Sequence, residues 1–455
     1  MSEGKHFNWA YIRRHLMSKP GALLGLLLML FVSVFNPFGL RDASDRNTET
    51  WLQRLFALDY PQTAQDDVVV MLIDDQALLN QGLGWPLAYD EYARLLRRLL
   101  SYQPKAVFVD ILFSQRRTHS GGTQGLQRVL KSYEQRGVPL FLADYRDDDG
   151  RSWVLPEIAS QAILAPVNWS GFGNRYPLVL QVRHDGSPFT PAAQLYRVGC
   201  GNCTEEDYQT PLLLRWGYWS DPRMGRFVDL EGCGVRGERS GLSEGLRLVL
   251  GDLFRAQQDG DSHDRPQRCM YTRTLYADQL SDPRIAEVLR GRYVLLGAHL
   301  RGIPDLVTSP VQGQLPGVYS HAMALDNLLS YGSGYWRDAP ELFAGVSLTD
   351  LLEIALMLAA GAIAWRIPAA PSEAQRWSWC WLRSQYWFWF LLLCAVALLS
   401  SAVLAYWMHL APLDWLGLLA MIGLFYAYLA EPRVANWWQS RIEPANEKQK
   451  EEKEC

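Results

Sequence analysis

Hydrophobic residues are concentrated in four long runs separated by polar sequence. Crossing the hydrocarbon core of a membrane takes roughly 20 apolar residues in a helix, because only a helix satisfies its own backbone hydrogen bonds in lipid. We predict four transmembrane α-helices, at residues 20–39, 344–365, 386–407 and 410–430. The first two are separated by a large polar segment, residues 40–341.

The basic residues of the short flanks set the orientation of these helices. Lys and Arg fall within residues 1–19, 366–385 and 431–455, whereas the turn between the last two helices has none. Cytoplasmic flanks are enriched in Lys and Arg. We therefore predict a multi-pass protein with a cytoplasmic N-terminus (1–19), a cytoplasmic tail (431–455) and an external domain at 40–341. A cleaved signal peptide would need small residues after the first apolar run, and Phe-Asn-Pro-Phe at 35–38 favours an uncleaved anchor.

Within the external segment, short apolar runs alternate with stretches of helical periodicity. The apolar runs, each typical of a buried strand, lie at 68–73, 106–109, 139–143 and 293–297. Apolar residues at helical spacing lie at 92–100, 125–135 and 318–329. This alternation predicts an α/β domain with a largely parallel sheet. Residues 146–270 are rich in Gly, Pro and charge, and we interpret them as an insertion.

The predicted insertion carries four of the seven cysteines: Cys200, Cys203, Cys233 and Cys269. An even number of cysteines in an oxidising compartment favours disulfides. We predict two bonds, with Cys200 to Cys203 preferred because that spacing closes a short loop. A zinc site is the alternative for a Cys-x-x-Cys followed by two more cysteines.

Carboxylates and histidines cluster where the predicted strands end. Asp74, Asp75, Asp110 and His299 occupy such positions, and Asp305 and His321 follow on a loop and a helix. Ligand crevices of open α/β sheets lie at the carboxyl ends of the strands. We predict a ligand-binding site, because these groups suit a divalent metal or the polar end of a small ligand. The alternative is that they cap helices or bind loop amides. We assign no metal and no cofactor.

Composition and motifs also exclude function classes. A formal net charge of −4 without a nucleic-acid motif argues against a nucleic-acid partner. The sequence has no recognisable nucleophile and base pair, no closed set of metal ligands and no phosphate-binding glycine loop. We therefore expect a protein that is not an enzyme.

Two acids interrupt the second predicted membrane helix. Asp350 and Glu353 are three residues apart, so they share one helix face. Acidic residues within lipid usually face protein or water and are often functional. The alternative is that both lie at the level of the headgroups.

An ordered set of short motifs resembles the CHASE2 domain, an extracytoplasmic sensory module of bacterial receptors. Its first half includes Asp-Val-Val-Val at 67–70, Ile-Asp-Asp at 73–75, Gly-Trp-Pro at 84–86 and Pro-Lys-Ala-Val at 104–107. The second half includes Tyr-Val-Leu-Leu-Gly-Ala at 293–298, Ser-Pro at 309–310 and Pro-Gly-Val at 316–318. The resemblance covers about residues 40–430 and is weakest in the region that carries the cysteines.

The resemblance implies one helix before the external domain and three after it, in the inner membrane of a bacterium. Receptors of this family usually continue into a kinase or cyclase, whereas this sequence continues into a short Lys/Glu-rich tail. We therefore expect a sensor that signals through a separate cytoplasmic or membrane output protein; a homodimer is an open alternative. A structural or assembly subunit of an envelope complex is the competing interpretation.

Overall fold

The structure is a computed structural model of the 455-residue chain. It describes residues 20–35, 39–116, 122–147, 149–169, 174–180, 189–200, 203, 208–235, 269–302, 305–343, 346–366 and 376–430. The chain divides into two compact units. Residues 51–338 form the first, and residues up to 50 together with those from 339 onward form the second. The predicted cytoplasmic segments 1–19 and 431–455 lie outside the described residues.

The strands, in chain order, are β1 Val68–Asp74, β2 Ala106–Val109, β3 Leu140–Asp144, β4 Ile163–Pro166, β5 Arg175–Tyr176, β6 Leu212–Leu213, β7 Arg273–Tyr276, β8 Tyr293–His299, β9 Leu306–Ser309, β10 Gly313–Pro316, β11 Glu341–Phe343 and β12 Val346–Ser347.

The α-helices are α1 Pro20–Phe35, α2 Leu40–Ala57, α3 Asp75–Gln81, α4 Tyr89–Ser101, α5 Gln124–Gln135, α6 Pro156–Ala159, α7 Pro191–Gly199, α8 Ala286–Leu289, α9 Val318–Tyr331, α10 Leu348–Arg366, α11 Arg376–Met408 and α12 Trp415–Ala430. Short 3₁₀ turns lie at Pro222–Arg226, Ala277–Ser281, Pro283–Ile285 and Gly332–Gly334.

A six-stranded sheet is the centre of the 51–338 unit. Its strand order is β4-β3-β2-β8-β1-β7, and every neighbouring pair is parallel. The fold class is therefore α/β with a parallel sheet. Strand β8 is inserted between β1 and β2, so these three form the middle of the sheet.

Both faces of the sheet are buried, which explains the continuous apolar runs in the sequence. In β1, Val68, Val70 and Leu72 belong to one core cluster, while Val69, Met71 and Ile73 belong to a second. Helices α7 and α9 contribute to the first cluster, and α4 and α5 to the second. Successive side chains point to opposite faces of a strand. A strand that is covered on both faces therefore favours apolar residues at consecutive positions.

The region interpreted as an insertion contributes to the core. Strand β4 extends the sheet beyond β3, and α7 packs in the core cluster that covers the face of Val68 and Leu72. The sequence pattern did not reveal these two elements because they are short: β4 has four residues and α7 has nine. Disulfides join Cys200 to Cys203 and Cys233 to Cys269, and residues 236–268 of the second loop lie outside the described residues.

Among the described residues, two helices are long and apolar enough to cross a membrane: Leu348–Arg366 and Gln385–Met408, the latter within α11. Helices α1 and α12 are apolar but have 16 residues each. At 1.5 Å per residue such a helix is roughly 24 Å long, short of the roughly 30 Å of a hydrocarbon core. The structure thus gives two candidate membrane helices of sufficient length where the sequence predicts four.

Candidate functional site

The carboxyl ends of β2, β8 and β1 meet at one edge of the sheet. Asp110 follows β2 directly, and its amide donates to the carbonyl of Leu296 in β8 (2.8 Å). Asp74, the last residue of β1, is in register with His299, the last residue of β8. Four predicted site residues, including Asp75 at the start of α3, thus lie at this edge because the strands are parallel and adjacent.

Helix α9 brings His321 to the same edge. The helix approaches β8 closely because Gly297 has no side chain: a Cβ there would lie 2.6 Å from Cγ1 of Val318, the first residue of α9. His321 lies one turn further along this helix and is buried. Its ring packs edge-on against Phe108 of β2, with ring centroids 5.2 Å apart.

Asp110 and His321 form a buried pair. The Oδ2 atom of Asp110 lies 3.8 Å from Nε2 of His321, and the two side chains are 12% and 6% exposed. This separation is within the range of an ion pair but too long for a hydrogen bond. No hydrogen bond to the Asp110 side chain occurs among the described residues.

The remaining contacts of His321 fix the orientation of its ring. The hydroxyl of Tyr176 lies 2.7 Å from Nδ1 and accepts from the amide of Ala192 (3.3 Å). Since that hydroxyl already accepts a hydrogen bond from the amide of Ala192, it can donate its own proton in a hydrogen bond to Nδ1. This favours the tautomer of His321 that carries its proton on Nε2, facing Asp110. The rings of Tyr176 and Trp169 also meet the imidazole edge-on, at 5.5 and 5.7 Å.

Burial keeps both members of the pair neutral. Burial, reinforced by repulsion from Asp305, raises the pKa of Asp110 to about 8. Burial lowers the pKa of His321 to about 3. Desolvation penalises the charged form of each group, and here it outweighs their mutual attraction. Near neutral pH the site therefore holds a protonated carboxyl and a neutral imidazole.

Asp305 is the third group of this site. It lies in the loop before β9, and its backbone carbonyl accepts from the amide of Gly317 (3.0 Å), the residue that precedes α9. A Cβ at Gly317 would clash with the Asp305 carboxyl, so glycine is what allows the contact. Desolvation raises the pKa of Asp305. Because the residue is exposed, we expect solvent to screen much of this effect.

Asp74, Asp75 and His299 form a separate group. The Asp74 carboxylate accepts from the amide of Ala77 (2.7 Å) and so caps α3, and Asp75 accepts from the amide of Arg301 (3.1 Å). Burial lowers the pKa of His299, opposed by the charges of Asp74 and Asp75. These contacts match the alternative interpretation, in which the acids cap helices or bind loop amides. A ligand-binding role for the three residues stays a prediction.

Three buried acids among the described residues of the 51–338 unit were missed in the sequence: Asp144, Asp221 and Asp326. Asp326 of α9 accepts from the hydroxyls of Tyr60 (2.7 Å) and Tyr271 (3.3 Å), and burial raises its pKa to about 7. Asp144 ends β3 and pairs with Arg146 (2.7 Å). Asp144 could have been found, since it follows an apolar strand as Asp110 does, whereas Asp326 lies within a helix and gives no such signal.

The two acids near the second membrane helix have different partners. Asp350 accepts from the backbone amide (2.8 Å) and the hydroxyl (2.7 Å) of Ser347, so it caps α10 locally. Glu353 is buried, and its Oε1 accepts from the amide of Asp414 (3.0 Å). Asp350 thus bonds a residue close to it in the chain, whereas Glu353 bonds a residue of a distant segment.

The described residues contain no group of three or more His, Cys, Asp or Glu side chains arranged to hold a metal ion. The 51–338 unit thus combines a parallel α/β sheet with a polar pair at its carboxyl edge, and the described part of the chain also has two candidate membrane helices. These features define an α/β domain in a chain with candidate membrane helices.

Comparison with known families is consistent with that class. The family model of the CHASE2 domain matches residues 23–399, so the chain belongs to the CHASE2 family. CHASE2 domains are extracytoplasmic sensory domains of signalling proteins. Searches of curated proteins and of solved structures give no significant match.

Proposed function

We propose that this protein is a bacterial membrane sensor that binds a small ligand at Asp110, His321 and Asp305 and passes the signal to a separate protein. The observation that carries the proposal is the Asp110–His321 pair, which is largely buried at the carboxyl edge of the sheet without a hydrogen bond between its members. Burying polar groups without hydrogen bonds destabilises a fold. A loss of stability of this kind is typical of binding sites.

The chemistry of the site favours a ligand with a cationic or donor-rich group. Asp110 and Asp305 repel each other, and neither pairs with Lys or Arg among the described residues. An ammonium group would supply the missing positive charge. Binding would then require Asp110 to lose its proton, so the affinity for a cation should rise as the pH approaches 8.

Ligand binding at this site would act on α9. The helix supplies His321 to the site and Asp326 to the buried tyrosine pair further along. A ligand shifts a conformational equilibrium only through different affinities for two states. A ligand that draws Asp110 and His321 together would favour one position of α9 over another.

We infer that all four apolar helices cross the membrane, with the external unit in the periplasm or outside the cell and both termini in the cytoplasm. Residues of α1, α10, α11 and α12 share one buried apolar cluster. Large apolar side chains nevertheless remain exposed on the two shorter helices, such as Leu28 (60%) and Leu424 (72%). Apolar side chains of this size on a helix surface suit contact with lipid.

The partner is part of the proposal. On the Lys/Arg distribution, residues 366–385 and 431–455 face the cytoplasm, where a separate output protein would read a movement of the helices. Binding rather than catalysis is the role assigned to the external domain.

A ligand screen tests the proposed function. Full-length protein in detergent is screened by thermal shift against amino acids, organic amines and polyols at pH 8. We expect at least one cationic compound to raise the melting temperature of the natural protein but not of Asp110→Asn. Asp338→Asn is the matched control, because Asp338 is half-exposed and pairs with Arg175. Compounds that stabilise the natural protein and Asp110→Asn equally would refute the site.

A further inference from the structure

Asp414 is a buried acid in the short connection between α11 and α12. It is 8% exposed, and its Oδ1 atom accepts three hydrogen bonds. The donors are the hydroxyl of Thr48 (2.6 Å), the hydroxyl of Ser44 (2.9 Å) and the amide of Gly417 (3.2 Å). Thr48 and Ser44 belong to α2, so one oxygen atom joins α2 to the first turn of α12.

Glu353 connects the same residue to a third helix. Its side chain, 5% exposed, accepts from the backbone amide of Asp414 (3.0 Å). Asp414 thus receives bonds from α2 and donates one to α10. Among the described residues no Lys or Arg pairs with Asp414, so hydrogen bonds alone compensate its burial.

The surrounding packing leaves little room for an alternative arrangement. A Cβ at Gly417 would lie 2.6 Å from Oγ of Ser44 and 3.1 Å from its Cβ, so the start of α12 is in direct contact with α2. Next to Asp414, Leu413 is fully buried with Leu404 and Leu410. Close-packed contacts of this kind rearrange in discrete steps rather than bending continuously.

Helix α2 carries both hydroxyl donors of this cluster. It is unbroken from Leu40 to Ala57, and Ser44 and Thr48 are four residues apart on it, so they lie on one face of the helix. A displacement of α2 along its axis therefore moves both donors together.

We propose that Asp414 is the junction through which displacement of α2 is passed to α10 and α12. Asp414 positions the three helices and needs no ligand of its own. Losing its carboxylate would leave the hydroxyls of Thr48 and Ser44 buried without an acceptor. Its role in signalling rests on the proposed sensory function, whereas the mechanical connection does not.

Hydrogen–deuterium exchange of full-length protein in lipid nanodiscs tests the junction. Asp414→Ala should raise exchange roughly tenfold or more in residues 44–50 and 414–420, because the hydrogen bonds that the carboxyl accepts are lost in both segments. Exchange should also rise in residues 350–356, because the amide at position 414 that donates to Glu353 is no longer held in place. Thr48→Val keeps the shape of the side chain and removes one of these bonds. It should raise exchange several-fold in the same three segments, including the two that it does not belong to.

Asp350→Ala is the matched control, since Asp350 accepts from the amide and the hydroxyl of Ser347 at the start of α10. It should affect the start of α10 and leave residues 44–50 and 414–420 unchanged. If Thr48→Val changes exchange only within α2, or if Asp350→Ala spreads as far as Asp414→Ala does, the junction is refuted. No ligand enters this experiment, so a failed ligand screen and a failed junction remain distinguishable.

Discussion

Replacing Asp110 with Asn should stabilise the external domain in a pH-dependent manner. In the folded protein the pKa of Asp110 is about 8, against an ordinary value of about 3.9. The folded state therefore binds a proton more tightly than the unfolded state. Between about pH 4 and pH 8 the unfolded chain carries fewer protons at this position, so the contribution of Asp110 to stability falls as pH rises.

The size of the effect follows from the difference in pKa. Each pKa unit corresponds to about 1.4 kcal/mol, so a difference of about four sets an upper limit of ~6 kcal/mol at pH 9. Relaxation of the site and partial exposure of Asp305 reduce this value, and we expect about 2–3 kcal/mol. Asn cannot ionise, so Asp110→Asn does not lose stability through ionisation of this buried group as the pH rises.

The contributions of other titrating groups to the free energy of unfolding cancel when the natural protein is compared with Asp110→Asn. His321, with a lowered pKa of about 3, adds stability that is lost as pH falls through the range from 6.5 to 3. Asp326, with a raised pKa of about 7, loses stability as pH rises toward that value. Both remain in Asp110→Asn, so the difference between the two proteins reports Asp110.

Urea unfolding of the 51–338 unit measures this difference at intervals from pH 4.5 to pH 9. The free energy of unfolding should be similar for the two proteins near pH 4.5, and Asp110→Asn should become the more stable as pH rises. The reasoning would be refuted by a constant difference across the range, or by an Asp110→Asn protein that is less stable at pH 9.

Three further changes test the fold. Gly297→Ala should lower the free energy of unfolding by about 1–3 kcal/mol in urea, because its Cβ would overlap Val318; an unchanged value would refute the close approach of α9. Asp326→Ala should cost about 1–3 kcal/mol by the same assay, since the buried hydroxyl of Tyr60 loses its acceptor while that of Tyr271 keeps the carbonyl of Pro61, whereas Ser330→Ala should cost far less. Removing the disulfide between Cys233 and Cys269 should cost up to about 4 kcal/mol, given the separation of 36 residues; equal stability with and without reductant would contradict it.

The sequence predicted the middle of the sheet well because those strands are buried on both faces. The apolar runs at 68–73 and 293–297 leave no other assignment, and they correspond to β1 and β8. Strand β7 was missed because Arg273 and Thr274 break its apolar pattern. Both are buried, and Arg273 is compensated by Asp221 (2.6 Å). Such compensation depends on residues far apart in the chain and cannot be seen in a local pattern.

The candidate site was likewise predicted from the sequence only in part. Strand ends predicted the positions of Asp110 and Asp74 at one edge, because parallel strands end together. The sequence alone could not show that Asp74 caps a helix, whereas the Asp110 side chain has no hydrogen bond among the described residues. That distinction depends on α9, which places His321 beside Asp110, and on Tyr176, which comes from the region interpreted as an insertion.

The orientation of the external unit tests the account most directly, because a sensor of this kind must receive its signal outside the cytoplasm. Single cysteines are introduced at Ser333, which is exposed, or at Ser440 in the tail, with Cys380, Cys394 and Cys455 replaced by serine. Intact cells are then treated with a thiol reagent that does not cross the inner membrane. The account predicts labelling of Ser333→Cys in intact cells and of Ser440→Cys only after lysis. Labelling of the tail in intact cells, with protection of Ser333→Cys, would contradict it.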